Sequence, residues 1–132
     1  LEERMTLAEK MNITNLNLSA LKKNGKKEKN ITKAKQLMVT FTISPNNSTP
    51  VGEKEIFMRI TSPEGTLLGE RGTFSFEDAK VPFTDCKKVE YTGQEMEVTI
   101  YWNVDMPLSA GEYRVEIFAD NYRLGSKIFV MK

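Results

Sequence analysis

Apolar residues recur along this chain with two different periods. Over residues 1–12, Leu1, Met5, Ala8 and Met11 or Asn12 stand three and four apart with Leu7 beside them, uninterrupted by Gly, Pro or a β-branched run. That spacing predicts a helix. From residue 13 onward the period is two. Leu16, Leu18 and Ala20 form the first alternating set, followed by Leu37, Val39, Phe41 and Ile43, then Ile56, Met58 and Ile60, then Phe74 and Phe76. Met96, Val98, Ile100 and Trp102 come next, then Tyr113, Val115, Ile117 and Ala119, and a last strand spans about 122–131. Such alternation predicts half-buried strands with the named side chains inward. In the last strand, Gly125-Ser126 is expected to insert a bulge that carries the inward set from Leu124 to Phe129 and Met131.

Turn residues stand between these sets: Ser44-Pro45-Asn46-Asn47, Ser62-Pro63-Glu64-Gly65, Thr92-Gly93, Leu108-Ser109-Ala110-Gly111 and Asp120-Asn121. Each supplies a pre-set φ, tolerance of positive φ or a local side-chain bond. Many short strands without helical stretches between them argue against parallel βαβ units. The expected fold is all-β, an immunoglobulin-like antiparallel β-sandwich over 13–132, with 1–12 a helical stub that ends a coiled coil. Leu18, Val39, Phe41, Ile60, Ile100, Trp102, Val115 and Ile117 are expected to be buried between its two sheets.

At 132 residues, 39% apolar and 28% charged, the chain is sized for one domain with a genuine core. Histidine is absent and Cys86 is the single cysteine. The first removes the general base of most hydrolase triads and the commonest transition-metal ligand, and the second removes any internal disulfide or Cys-x-x-Cys pair. No catalytic residue, metal-ligand set or cofactor is therefore expected. Carboxylate-only chemistry is the one enzymatic alternative that the composition leaves open. Gly65, Gly69 and Gly72 imitate a phosphate loop but lack the following Lys-Ser/Thr, and they read as part of a hairpin.

Charge is distributed in blocks. Residues 22–35 carry seven lysines against the single Glu28, a local balance of +6 inside an overall +1. Lys22, Lys23, Lys26, Lys27 and Lys29 are candidate anion-binding residues. They surround Asn24-Gly25, a hairpin turn, and residues 23–33 are expected to form a surface loop that binds anions only weakly. With no aromatic residue among the lysines to stack bases, specific nucleic-acid binding is not expected. Phe57, Tyr101 and Phe118 alternate to the face opposite their strands' core residues. If strands 55–61 and 111–119 pair, Phe57 and Phe118 share an outer face, and the three aromatics become candidate binding residues unless the helix or residues 77–86 cover them.

Leu16-Asn-Leu18, Ala34-Lys35, Gly52-Glu-Lys-Glu-Ile56, Ser62-Pro63-Glu64-Gly65, Val81-Pro82-Phe83, Glu90-Tyr91-Thr92-Gly93 and Tyr101-Trp102-Asn-Val104 follow one another in a characteristic course. The closing pair from Gly111-Glu-Tyr113 to Ile-Phe129 follows them. The course resembles the C-terminal immunoglobulin-like domain of uncharacterised membrane-anchored coiled-coil envelope proteins of Bacteroidetes. The resemblance covers nearly the whole chain and implies an excised piece of a longer parent, on the periplasmic side of the cell envelope. The parent is expected to meet the membrane only through an upstream anchor and to form a homo-oligomer through its coiled coil. The function expected is a non-enzymatic interaction or structural module with a protein partner. A carbohydrate-binding module, with a glycan as ligand, is the first alternative and a carboxylate-dependent hydrolase the second.

Overall fold

The computed structural model describes residues 11–46 and 48–132. The helix expected over 1–12 lies, for residues 1–10, outside the described residues, as does Asn47 of the first expected turn. Met11 and Asn12 are not helical. Met11 is fully buried in the core, and the Asn12 carbonyl accepts a hydrogen bond from the Ser44 N–H at 2.8 Å. Among the described residues there is no α-helix, and none long and apolar enough to cross a membrane.

The described residues form nine strands: β1 (Ile13–Leu21), β2 (Gln36–Ile43), β3 (Gly52–Thr61), β4 (Gly72–Phe76), β5 (Ala79–Phe83), β6 (Asp85–Tyr91), β7 (Met96–Asn103), β8 (Gly111–Ala119) and β9 (Tyr122–Met131). One sheet has the order β1-β2-β7 and the other β6-β3-β8-β9, with every pair antiparallel. The two bury their inner faces against each other, so the period of two seen in the sequence becomes one face in and one face out. All eight residues expected between the sheets are buried there.

Irregular positions each have a local cause. Asn15 takes φ 58°, and the β1–β2 register slips between Thr14 and Asn17, a bulge seated on a residue that tolerates left-handed backbone. Asp120 and Asn121, at φ 53° and 64°, close the β8–β9 hairpin with the double positive φ of a tight turn. β9 carries a bulge, but one residue before the expected Gly125-Ser126, with Leu124 as its extra residue. Ile117 pairs with Gly125 and Phe118 with Arg123, Leu124 is buried, and Phe129 and Met131 pack against the core.

The connection after β3 seals one end of the sandwich. The Ser62–Gly65 turn places Pro63 so close to Gly111 that a Cβ there would stand 2.8 Å from the proline ring. The Ser109 hydroxyl hydrogen-bonds the exposed Glu64 carboxyl and holds it below the usual carboxylate range. Leu68 then enters the core, and Gly69, at φ +62°, lies flat against the Trp102 indole. Within the glycine series, Gly65 thus serves the turn, while Gly69 and Gly72 make room for Trp102 and Phe83.

The β4–β5 hairpin is the largest addition to the expected fold. It lies on the outer face of the four-stranded sheet, where Phe74 and Phe83 enclose Phe57 and Phe118. Phe57 and Phe74 stack with ring centroids 4.4 Å apart, and Phe76 meets Phe118 edge-on at 5.0 Å. Arg59 fastens the hairpin by donating from Nε to the Pro82 carbonyl at 2.8 Å while pairing with the buried Glu116 at 2.8 Å. Phe74 and Phe76 therefore belong to this second apolar layer and not to the core between the sheets.

Candidate functional site

The hairpin decides the fate of two candidate aromatics. Phe57 and Phe118 are cross-strand partners on one outer face, as the alternation requires. Phe118 is 4% exposed and Phe57 only partly exposed, since the hairpin covers both. Their place as exposed binding residues is corrected: burying several aromatic rings outweighs leaving them in water.

Tyr101 lies on the other sheet and is 49% exposed. It points outward from β7 because Ile100 and Trp102 on either side point inward. Opposite it on β2 stands Met38, and one pair further along Gln36 faces Asn103, its side-chain amide donating to the Asn103 oxygen at 3.2 Å. The β1–β2 connection folds back beside these residues. Lys22 N–H donates to the Lys26 carbonyl at 2.6 Å, Gly25 turns at φ +88°, and Leu21 bridges to Lys27. The chain then makes a 3-10 turn at Ile31–Lys33, with Ile31 buried and its N–H donating to the Lys132 carbonyl at 2.6 Å. The surface loop expected over 23–33 is thus tied down at its far end by a core residue that period-two reading does not detect.

Together these pieces shape a hollow of about 350 Å³ lined by Leu21, Gly25, Lys27, Gln36, Met38 and Tyr101. Of the sequence candidates, the structure brings Tyr101 and Lys27 together here. Lys22, Lys23, Lys26 and Lys29 are exposed on the same loop but do not line the hollow. Gln36 and Met38 were missed as candidates. Their signal was their outward alternation on β2, which becomes informative once β2 is known to pair with β7.

A second hollow, of about 360 Å³, lies on the outer face of the other sheet between Thr61, Pro63, Glu112, Arg114 and Ile128. It offers no aromatic ring, and its base and acid oppose each other. The Tyr101 hollow combines an apolar floor, a ring, one side-chain amide and a lysine without a lining carboxylate. Such a surface can stack a planar or ring-shaped ligand, hydrogen-bond its hydroxyls and pair with a negative charge. Among the described residues, no group of three or more His, Cys, Asp and Glu side chains could hold a metal ion.

The architecture and the exposed site define a small β-sandwich domain. The chain belongs to the family described as Domain of unknown function (DUF8428), whose model matches residues 14–132. No curated protein matches it. Among solved structures it is similar to the Pseudomonas fluorescens alkylpurine DNA glycosylase AlkC bound to DNA containing an abasic site analog. The TM-score is 0.54 at 16% identity, over 96% of this chain and 31% of that chain. This chain thus corresponds to less than a third of that protein's length, and at that identity the likeness concerns the fold.

Proposed function

We propose that this chain is an immunoglobulin-like interaction module, non-enzymatic, that binds through the outer face of its β1-β2-β7 sheet. The observation that carries the reading is the half-exposed Tyr101 set in a hollow beside Lys27. The finer fold assignment draws support from the division of three strands against four and from the start of β8, where the Tyr113 hydroxyl donates back to the Ser109 carbonyl at 2.5 Å. A tyrosine bonded to backbone just upstream at this corner is a hallmark of immunoglobulin-like sandwiches.

The resemblance to envelope proteins supplies the setting: a membrane-anchored parent that presents this module on the periplasmic side and oligomerises through an upstream coiled coil. Because an anchor at one end of every chain fixes their direction, that coil is parallel. Affinity capture from the native envelope with the full-length parent, wild type and Tyr101→Ala, tests the reading. Partners captured by the wild type and lost by the variant are the expected result. Equal capture by both would remove the proposed face. Sedimentation equilibrium of the parent's soluble part tests the oligomer, and a monomer would overturn it.

A further inference from the structure

The hollow's chemistry is more selective than a general binding face, and the following inference rests on the reading just proposed. We infer that the Tyr101 hollow is a subsite for an acidic saccharide: the exposed ring stacks on a sugar ring, Gln36 bonds its hydroxyls, and Lys27 pairs with its carboxylate.

Three observations converge on that occupant. First, residues 22–35 hold seven lysines against one glutamate, and the loop that bears Lys27 also bears Lys22, Lys23, Lys26 and Lys29, so the field around the hollow is positive and favours an anion. Second, Tyr101 is 49% exposed with Met38 beside it, an apolar platform of the size of one ring. Among the described residues, no hairpin of the kind that covers Phe57 and Phe118 on the opposite sheet lies on its outward face. Third, the surrounding outward positions of the sheet are amide and hydroxyl groups: Gln36, Asn103, Thr99, Thr40 and Ser19. These groups match the hydroxyls of a saccharide.

A nucleic-acid strand fits less well. Successive bases need successive aromatic faces, and this face offers one ring. The lysines cluster at one end of the sheet instead of tracking a backbone along it.

Calorimetric titration of the intact chain with oligogalacturonate, a neutral cello-oligosaccharide and oligothymidylate decides the question, using wild type, Tyr101→Ala and Lys27→Gln. Both substitutions are at exposed positions, and thermal melts confirm that the variants remain folded. The expected result is binding of oligogalacturonate that weakens at least tenfold in Tyr101→Ala and several-fold in Lys27→Gln, with the neutral oligosaccharide binding more weakly than the acidic one. Equal affinity for the neutral oligosaccharide would overturn the role of Lys27. Tighter, Tyr101-dependent binding of oligothymidylate would replace the saccharide by nucleic acid. Absence of saccharide binding, while Tyr101→Ala still loses its envelope partners, would overturn this inference and leave the binding face standing. Unchanged envelope capture by that variant would overturn both.

Discussion

Gly69 packs against the Trp102 indole with no room for a side chain. A Cβ on residue 69 would lie 2.2 Å from the indole nitrogen, and its φ of +62° is one that side-chain-bearing residues adopt only with strain. Gly65 has a similar φ of +85° but open space around it. Gly69→Ala is expected to cost roughly 2–4 kcal/mol, the backbone strain plus overpacking, whereas Gly65→Ala costs roughly 1–2 kcal/mol from backbone alone. Urea unfolding of the two variants separates the terms, and equal losses would show that the indole yields. Trp102→Ala opens a cavity and is expected to cost roughly 3–5 kcal/mol in the same assay. Titration adds a pH signature. Burial, with the nearby Glu64 carboxylate, raises the Tyr113 phenol above its ordinary value. Burial, then Glu55 and Asp85, raises the Cys86 thiol. A folded-state pKa above the unfolded one means that the native chain holds the proton longer. This stabilisation is full below the ordinary thiol and phenol values and is lost as pH rises through the raised ones. Stability should thus fall above about pH 9–10, and Tyr113→Phe should flatten the upper part of the decline.

The strands that alternate cleanly were legible because half-burial imposes its period on the sequence. β2, β3, β7 and β8 put Val39, Ile60, Ile100 and Val115 where the pattern places them. The β4–β5 hairpin was not legible. Its turn is Glu77-Asp78, both at positive φ without a glycine, and β5 is only five residues long and carries Pro82, which has no N–H to give a ladder. What holds it is tertiary: Phe74 and Phe83 over Phe57 and Phe118, and the Arg59 bond to Pro82. The binding candidates failed at the same point, since a face can be judged exposed only once everything that lies on it is known. Tyr101 survived because nothing among the described residues folds over it, and its neighbours Gln36 and Met38 come from a strand over sixty residues away in sequence. The hairpin's dependence on its aromatic layer is testable. Phe74→Ala should speed amide exchange across residues 72–83 while amides of β2 and β8 remain protected. Uniform loss of protection would mean instead that the hairpin is part of the cooperative core.

At the scale of the whole molecule, the open question in a sandwich of this kind is how its outer strands avoid pairing with another copy. β9 ends the four-stranded sheet, and its outward residues Ile128 and Val130 are 48% and 74% exposed, an invitation to edge-to-edge association. Lys127 stands just before them in sequence but on the inward side of the strand, opposite the buried Val115, and its ammonium reaches out over the Phe129 ring at 5.3 Å. A second β9 laid along this edge would trap that charge between two sheets, and the cost of removing a lysine from water opposes the contact. Lys127→Val removes the penalty and raises the strand propensity of the edge. The variant is expected to self-associate with rising concentration in sedimentation velocity, while the wild-type domain stays monomeric, and adding Ile128→Thr and Val130→Thr should return it to a monomer. If Lys127→Val sediments like the wild type at every concentration, the lysine is not the guard. The irregular twist introduced by the Leu124 bulge would then be what keeps the edge from finding a partner.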